Sequence, residues 1–189
     1  MPSHAVPPSP IIHINGFPGV GKLTVARALR AFSGPTICPP ACAILKRTEE
    51  GYQSLRRALR AAVFEPLAEN PTTYEHSYIF TDNQSTDLVG ASVCAEYAEV
   101  ARRRGVSWFR WCCRAMRRPT YSVWDRRSGW RAALFRDKTV IHRFNKEDAV
   151  GRTLEVDVTR LSPEESATII FRYVLESCPE LEKIVGSKS

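Results

Sequence analysis

A chain of 189 residues, 43% hydrophobic and 25% charged, suits one domain with a sizeable core and has the composition of an ordinary globular protein. It contains no run of about 18 apolar residues, so no membrane span is expected. The formal charge of +7 is concentrated: residues 101–136 hold eleven arginines against the single acid Asp125, a local +10, which leaves −3 for the remainder. All four tryptophans lie in the same segment. A basic cluster of this kind is a weak sign of nucleic-acid binding, in which arginines would neutralise phosphates and tryptophans stack on bases.

Residues 1–10 are proline-rich, without Lys or Arg, and read as a disordered leader rather than a secretory or transit signal. The expected location is therefore the cytoplasm, and residues 11–185 are expected to form one domain. Six cysteines without a signal peptide or a Cys-x-x-Cys pair read as reduced, mostly buried thiols.

The first predicted element is a strand, Ile11-Ile12-His13-Ile14-Asn15. It runs into Gly16-Phe17-Pro18-Gly19-Val20-Gly21-Lys22-Leu23-Thr24, and a helix follows over Thr24–Phe32. Strand, glycine-rich turn, lysine and helix together are the context of a phosphate-binding loop. Glycines let backbone N–H groups approach an anion, the helix N-terminus adds partial positive charge, and Lys22 would reach the β- and γ-phosphates. In the usual pattern a Ser or Thr follows the lysine to hold Mg²⁺. Here Leu23 follows, and the hydroxyl arrives at Thr24.

Gly34-Pro35 stops the first helix. In Thr36–Leu45 two adjacent prolines disfavour a strand where a parallel sheet should place its second one. Thr48–Glu69 reads as a helix capped by Thr48, with Tyr52, Leu55, Leu59 and Val63 as its apolar stripe and Pro66 bending or ending it. Arg56, Arg57 and Arg60 fall away from that stripe and read as a solvated face. His76–Thr81 reads as a buried strand ending at Asp82, the first aspartate of the chain. Asp87–Arg104 is the next helix, with Val89, Val93, Tyr97 and Val100 inward and Gly105 closing it.

Val106–Cys113 has the position of a strand, but Trp, Arg and Cys make a poor strand for burial on both faces. Arg114–Val140 has no clear period, and residues 108–136 read as an irregular, lid-like region. Leu154–Val158 alternates as the last strand. Ser162-Pro163-Glu164-Glu165 opens the last helix with a capping box, and Ala167, Ile170, Phe171 and Val174 form its buried face. Alternating strands and helices after a phosphate loop predict an α/β fold, a parallel sheet with helices on both faces. Ligands in such sheets bind beyond the carboxyl ends of the strands, where the loop and Asp82 would meet. An aspartate there orients Mg²⁺ or its water. The competing reading of Asp82 is a strand-end cap of the next turn.

Four stretches together resemble a known family: Gly16 to Ala26; Tyr78-Ile79-Phe80-Thr81-Asp82; Glu96-Tyr97 with Ala101 to Val106; and Leu154 to Thr159 with Leu161 to Glu165. They resemble the small kinase-like P-loop proteins catalogued as AAA-type ATPases. Those are more distantly similar to nucleotide kinases, shikimate kinase and zeta-toxin-type kinases. The resemblance implies a three-layer P-loop NTPase fold, ATP with Mg²⁺ as cofactors, and phosphoryl transfer to an unidentified small acceptor. Phe17, Pro18, Gly19 and Val20 would complete the loop with Gly16, Gly21, Lys22 and Leu23. Lys22 and Asp82 would be the catalytic pair, and Thr24 and Asp82 the Mg²⁺ contacts. Adenylate kinases likewise place a non-hydroxyl residue after the lysine and threonine next.

Two regions depart from the family pattern. The turn after the second strand should carry acidic, Asn and His groups, and Ile37–Cys42 has neither acid nor histidine. An aliphatic strand and an arginine-bearing lid should follow Gly105-Val106, and the Trp/Arg/Cys-rich segment stands there instead. Back-translated and read one base upstream, that segment permits V-P-x-V-L-x-x-D-A, then N-L-x-R-V-G and E-R-V-A-G-G, a buried strand followed by a lid. A translated frameshift or a mis-spliced gene model over residues 108–133 would account for the departure, and Arg114, Arg117, Arg118, Arg126, Arg127 and Arg131 would then not be inherited lid arginines. Two other readings stay open: a nucleotide-binding protein with impaired catalysis, and a basic nucleic-acid-binding protein.

Overall fold

The computed structural model describes residues 8–16, 20–30, 36–37, 49–114 and 151–179. Its elements in chain order are β1 (Ile11–Gly16), α1 (Lys22–Leu29), β2 (Thr36–Ile37), α2 (Tyr52–Glu69), a 3-10 turn (Pro71–Thr73), β3 (Tyr78–Asp82), α3 (Leu88–Arg104), β4 (Trp108–Arg114), β5 (Gly151–Asp157) and α4 (Pro163–Ser177). The five strands form one sheet in the order β2-β3-β1-β4-β5, and every pairing is parallel.

Side chains alternate across a strand, so β1 feeds both faces. Ile11 joins Phe64, Phe80, Val93, Tyr97 and Trp108 under α2 and α3. Ile12 and Ile14 join Leu29, Ile79, Trp111, Ile170 and Val174 under α1 and α4. This is the expected three-layer α/β fold, with β1 at its centre and helices on both faces.

The helix ends follow local chemistry. At α3, the Gly90 N–H donates to the Asp87 side chain at 2.7 Å, and Gly105 closes the helix at φ 74°. At α4, the Glu165 N–H donates to Ser162 Oγ at 3.0 Å while the Ser162 N–H donates to Glu165 Oε2 at 2.7 Å, the expected capping box.

Several expectations are corrected. A second strand does form, at Thr36–Ile37. Thr48 and residues 38–48 lie outside the described residues. The N-cap of α2 is Gly51, and Pro66 sits inside the helix, which runs on to Glu69. A proline so near the end removes one N–H from the last turns without stopping them.

Arg60 is buried, not solvated, and Arg56 is partly buried. Val89 is exposed, while Leu55, Leu59 and Val63 are only half-buried. β4 is a regular strand between β1 and β5, and Trp108 to Cys113 are all buried. It accommodates its charge locally: Arg110 lies over the Trp108 ring at 5.1 Å and donates to the Gly151 carbonyl at 2.9 Å. A side chain at Gly151 would collide with that guanidinium. The irregular reading therefore fails for 108–114, and residues 115–150 lie outside the described residues.

Candidate functional site

The site assembles at the carboxyl end of β1. Gly16, the last residue of the strand, is packed so tightly that an added Cβ would lie 3.0 Å from Cys113 Cβ and 3.1 Å from Val20 Cγ1. Gly21 has φ 89° and is the N-cap of α1, with no side-chain cap on the helix. That left-handed conformation suits glycine, which itself brings no side-chain acceptor to the first-turn amides of α1. Lys22 Nζ turns back across the connection and donates to the Gly16 carbonyl at 2.7 Å. The lysine is thus folded back onto the end of β1. Leu23 and Thr24 are exposed beside it, Leu23 at 40%. Phe17, Pro18 and Gly19 lie outside the described residues. Below the loop, burial pushes the Cys113 thiol up to about 12, against the opposing pull of Lys22.

Asp82 ends β3 in register with Asn15 of β1, one residue before Gly16. Its carboxylate accepts from the Asn83 N–H at 2.8 Å and from the Gln84 side-chain amide, and Arg56 Nη2 lies 3.5 Å from Oδ1. A carboxylate offers about four acceptor positions, and the donors among the described residues take three of them. The Asn15 side chain closes on the backbone of Gln84: the Gln84 N–H donates to Asn15 Oδ1 at 2.8 Å, and Asn15 Nδ2 donates to the Gln84 carbonyl at 3.2 Å. These bonds tie the β3–α3 turn to β1 beside the loop.

Lys22 and Asp82, the two residues expected to act together, are therefore brought to the same end of adjacent strands. Arg56, Gln84 and Asn15 escaped the sequence reading. Hydropathy put Arg56 on a solvated face, yet it stands between Asp82 and the Tyr52 ring, 5.7 Å from the ring centre. A signal for it did exist: arginines four apart at 56 and 60 on a helix that must cover a sheet.

The donor set fits a nucleoside triphosphate with Mg²⁺. Helix amides and a lysine cation suit phosphate oxygens. Among the described residues no group of three His, Cys, Asp or Glu could hold a metal ion. A site with one carboxylate and one exposed hydroxyl suits Mg²⁺, which keeps several waters and leans on substrate phosphates.

The basic segment looks different in three dimensions. Arg102 pairs with Glu99, and Arg103 with Glu65 and Glu69. Arg104 and Arg110 are buried. These four arginines are engaged inside the domain. No helix among the described residues is long and apolar enough to cross a membrane.

No family model and no curated protein matches the chain. Solved structures do. One is an unliganded sugar kinase from Janibacter sp. HTCC2649, with 16% identity and a TM-score of 0.55, covering 92% of this chain and 98% of that one. Another is a protein designated APE1195, with 10% identity and a TM-score of 0.56, covering 90% of this chain and 97% of that one. Identities this low speak for architecture alone: the α/β fold of the described residues, a parallel sheet flanked by helices, is shared with these structures.

Proposed function

We propose that the protein binds ATP with Mg²⁺ through Gly16 to Thr24 and is a kinase-like phosphotransferase acting on a small hydroxyl acceptor. The observation that carries this reading is the fold of Lys22 back onto the Gly16 carbonyl at 2.7 Å, next to a glycine-begun helix. With a triphosphate in place, the Lys22 ammonium would exchange that carbonyl for phosphate oxygens. The α1 amides would share the negative charge, and Asp82 and Thr24 would hold hydrated Mg²⁺. Bound Mg²⁺ supplies neutralisation of charge on the β- and γ-phosphate oxygens. The chain's own contribution is positioning and electrostatic stabilisation. A cytoplasmic location suits this chemistry. The sugar-kinase likeness supports a hydroxyl acceptor without naming one.

Direct binding of a fluorescent ATP analogue tests the nucleotide part. Lys22→Ala is expected to weaken it by about tenfold or more, the loss of one charge-assisted contact. Equal affinity in both proteins contradicts the reading. Transfer of labelled γ-phosphate to a panel of polyols, sugars and nucleosides tests the catalytic part. ATP binding without transfer to any acceptor would instead favour the impaired nucleotide-binding protein.

A further inference from the structure

Gln84 makes two separable sets of contacts. Its backbone N–H and carbonyl are the groups that close on Asn15, and its side-chain amide is the group that reaches Asp82 Oδ2. The residue is 2% exposed. A buried amide is costly unless it is hydrogen-bonded, and packing alone would be served by an apolar side chain of the same length.

Among the described residues the other two donors, Asn83 N–H and Arg56, both act on Oδ1. Gln84 thus restrains the oxygen they leave alone. Without it, the carboxylate could rotate toward the Arg56 guanidinium, whose 3.5 Å contact would tighten and neutralise it.

We infer that Gln84 is the positioning residue for Asp82, fixing the carboxylate so that its remaining acceptor position serves the hydrated Mg²⁺ accompanying a bound triphosphate. This rests on the nucleotide reading above. The side chain at 84 sets the Mg²⁺ dependence of nucleotide binding, and the backbone at 84 keeps the turn in place whichever side chain it carries.

The test is nucleotide binding in EDTA and across a Mg²⁺ titration, for the wild type, Gln84→Met, Asp82→Ala and the double variant. Gln84→Met is expected to raise the half-saturating Mg²⁺ concentration about tenfold and to leave Mg²⁺-free affinity within about twofold, as for loss of a hydrogen bond orienting a metal ligand. In the Asp82→Ala background it should add nothing, because the group it positions is gone. A merely structural Gln84 would shift both backgrounds alike. An unchanged Mg²⁺ midpoint in Gln84→Met, or the same rise in the Asp82→Ala background, overturns the inference while nucleotide binding stands. Absence of nucleotide binding by the wild type overturns both together. Gln84→Asn, which keeps an amide but shortens its reach, provides a second variant with the same expected direction should the Met variant fold poorly.

Discussion

The two faces of the sheet are built differently. Under α1 and α4 the contacts are Ile, Val, Leu and Ala against Phe109 and Trp111, the ordinary interior of an α/β domain. Under α2 and α3 an apolar centre is ringed by arginines. Arg60 forks onto Glu96 at 2.6 and 3.1 Å. Arg103 reaches Glu65 and Glu69, and Arg56 reaches Asp82. Arg104, 3% exposed, donates to the carbonyls of Ser9, Leu67, Thr73 and His76 and to Thr73 Oγ1, and it lies over Tyr74 and Tyr78. One face is held by burial of apolar area. The other adds hydrogen bonds and ion pairs that fix where α2 and its Arg56 sit over the sheet. The chemistry-bearing carboxylate faces that second layer.

The comparison breaks most visibly at Arg104. Arg104→Met leaves four carbonyls to find new partners and is expected to cost about 3–5 kcal/mol in urea denaturation, the range for removing one partner from a buried charged network. A loss below about 1 kcal/mol, the level of a surface pair, would mean that the arginine layer is not structural. On the opposite face, Ile170→Ala should cost about 3 kcal/mol through lost burial and the cavity left behind, with little dependence on salt. Arg60→Met falls next, at about 2 kcal/mol, because it strands Glu96, which keeps partial access to water. Adding Glu96→Met should recover part of that loss, and a fully additive double variant would argue against a coupled pair. Arg103→Ala should change stability least, since its partners are exposed and screened by solvent.

The same contrast explains what could be read from the residues alone. The α1/α4 face announced itself: the strand before Gly16, the period of Ala167, Ile170 and Val174, and the Ser162–Glu165 box each encode their structure locally. The positions of Lys22 at the start of α1 and Asp82 at the end of β3 were legible because the loop motif and the strand-end signal are local too. Arg56, Arg60, Arg104 and Gln84 were not, because their burial depends on partners 26 to 36 residues away or more, and hydropathy counts every arginine as solvent-facing. β4 was half legible: its position followed from chain order, but Trp108-Phe109-Arg110-Trp111 disguised a strand buried on both sides. The buried Trp111 indole N–H has no acceptor among the described residues. We propose that this strand carries the mark of the frameshift read in the sequence, and a single-frame transcript across codons 108–133 would refute that origin.

The nucleotide claim is tested most directly by the melting temperature with and without ATP·Mg²⁺. At about 100 times its dissociation constant the ligand should stabilise the folded chain by about 2.7 kcal/mol. The wild type is expected to melt at a clearly higher temperature, and Lys22→Ala, at the same concentration, to show little of that rise. A wild-type curve that does not move, or a rise that survives intact in Lys22→Ala, would contradict the phosphate-binding role of the β1–α1 connection.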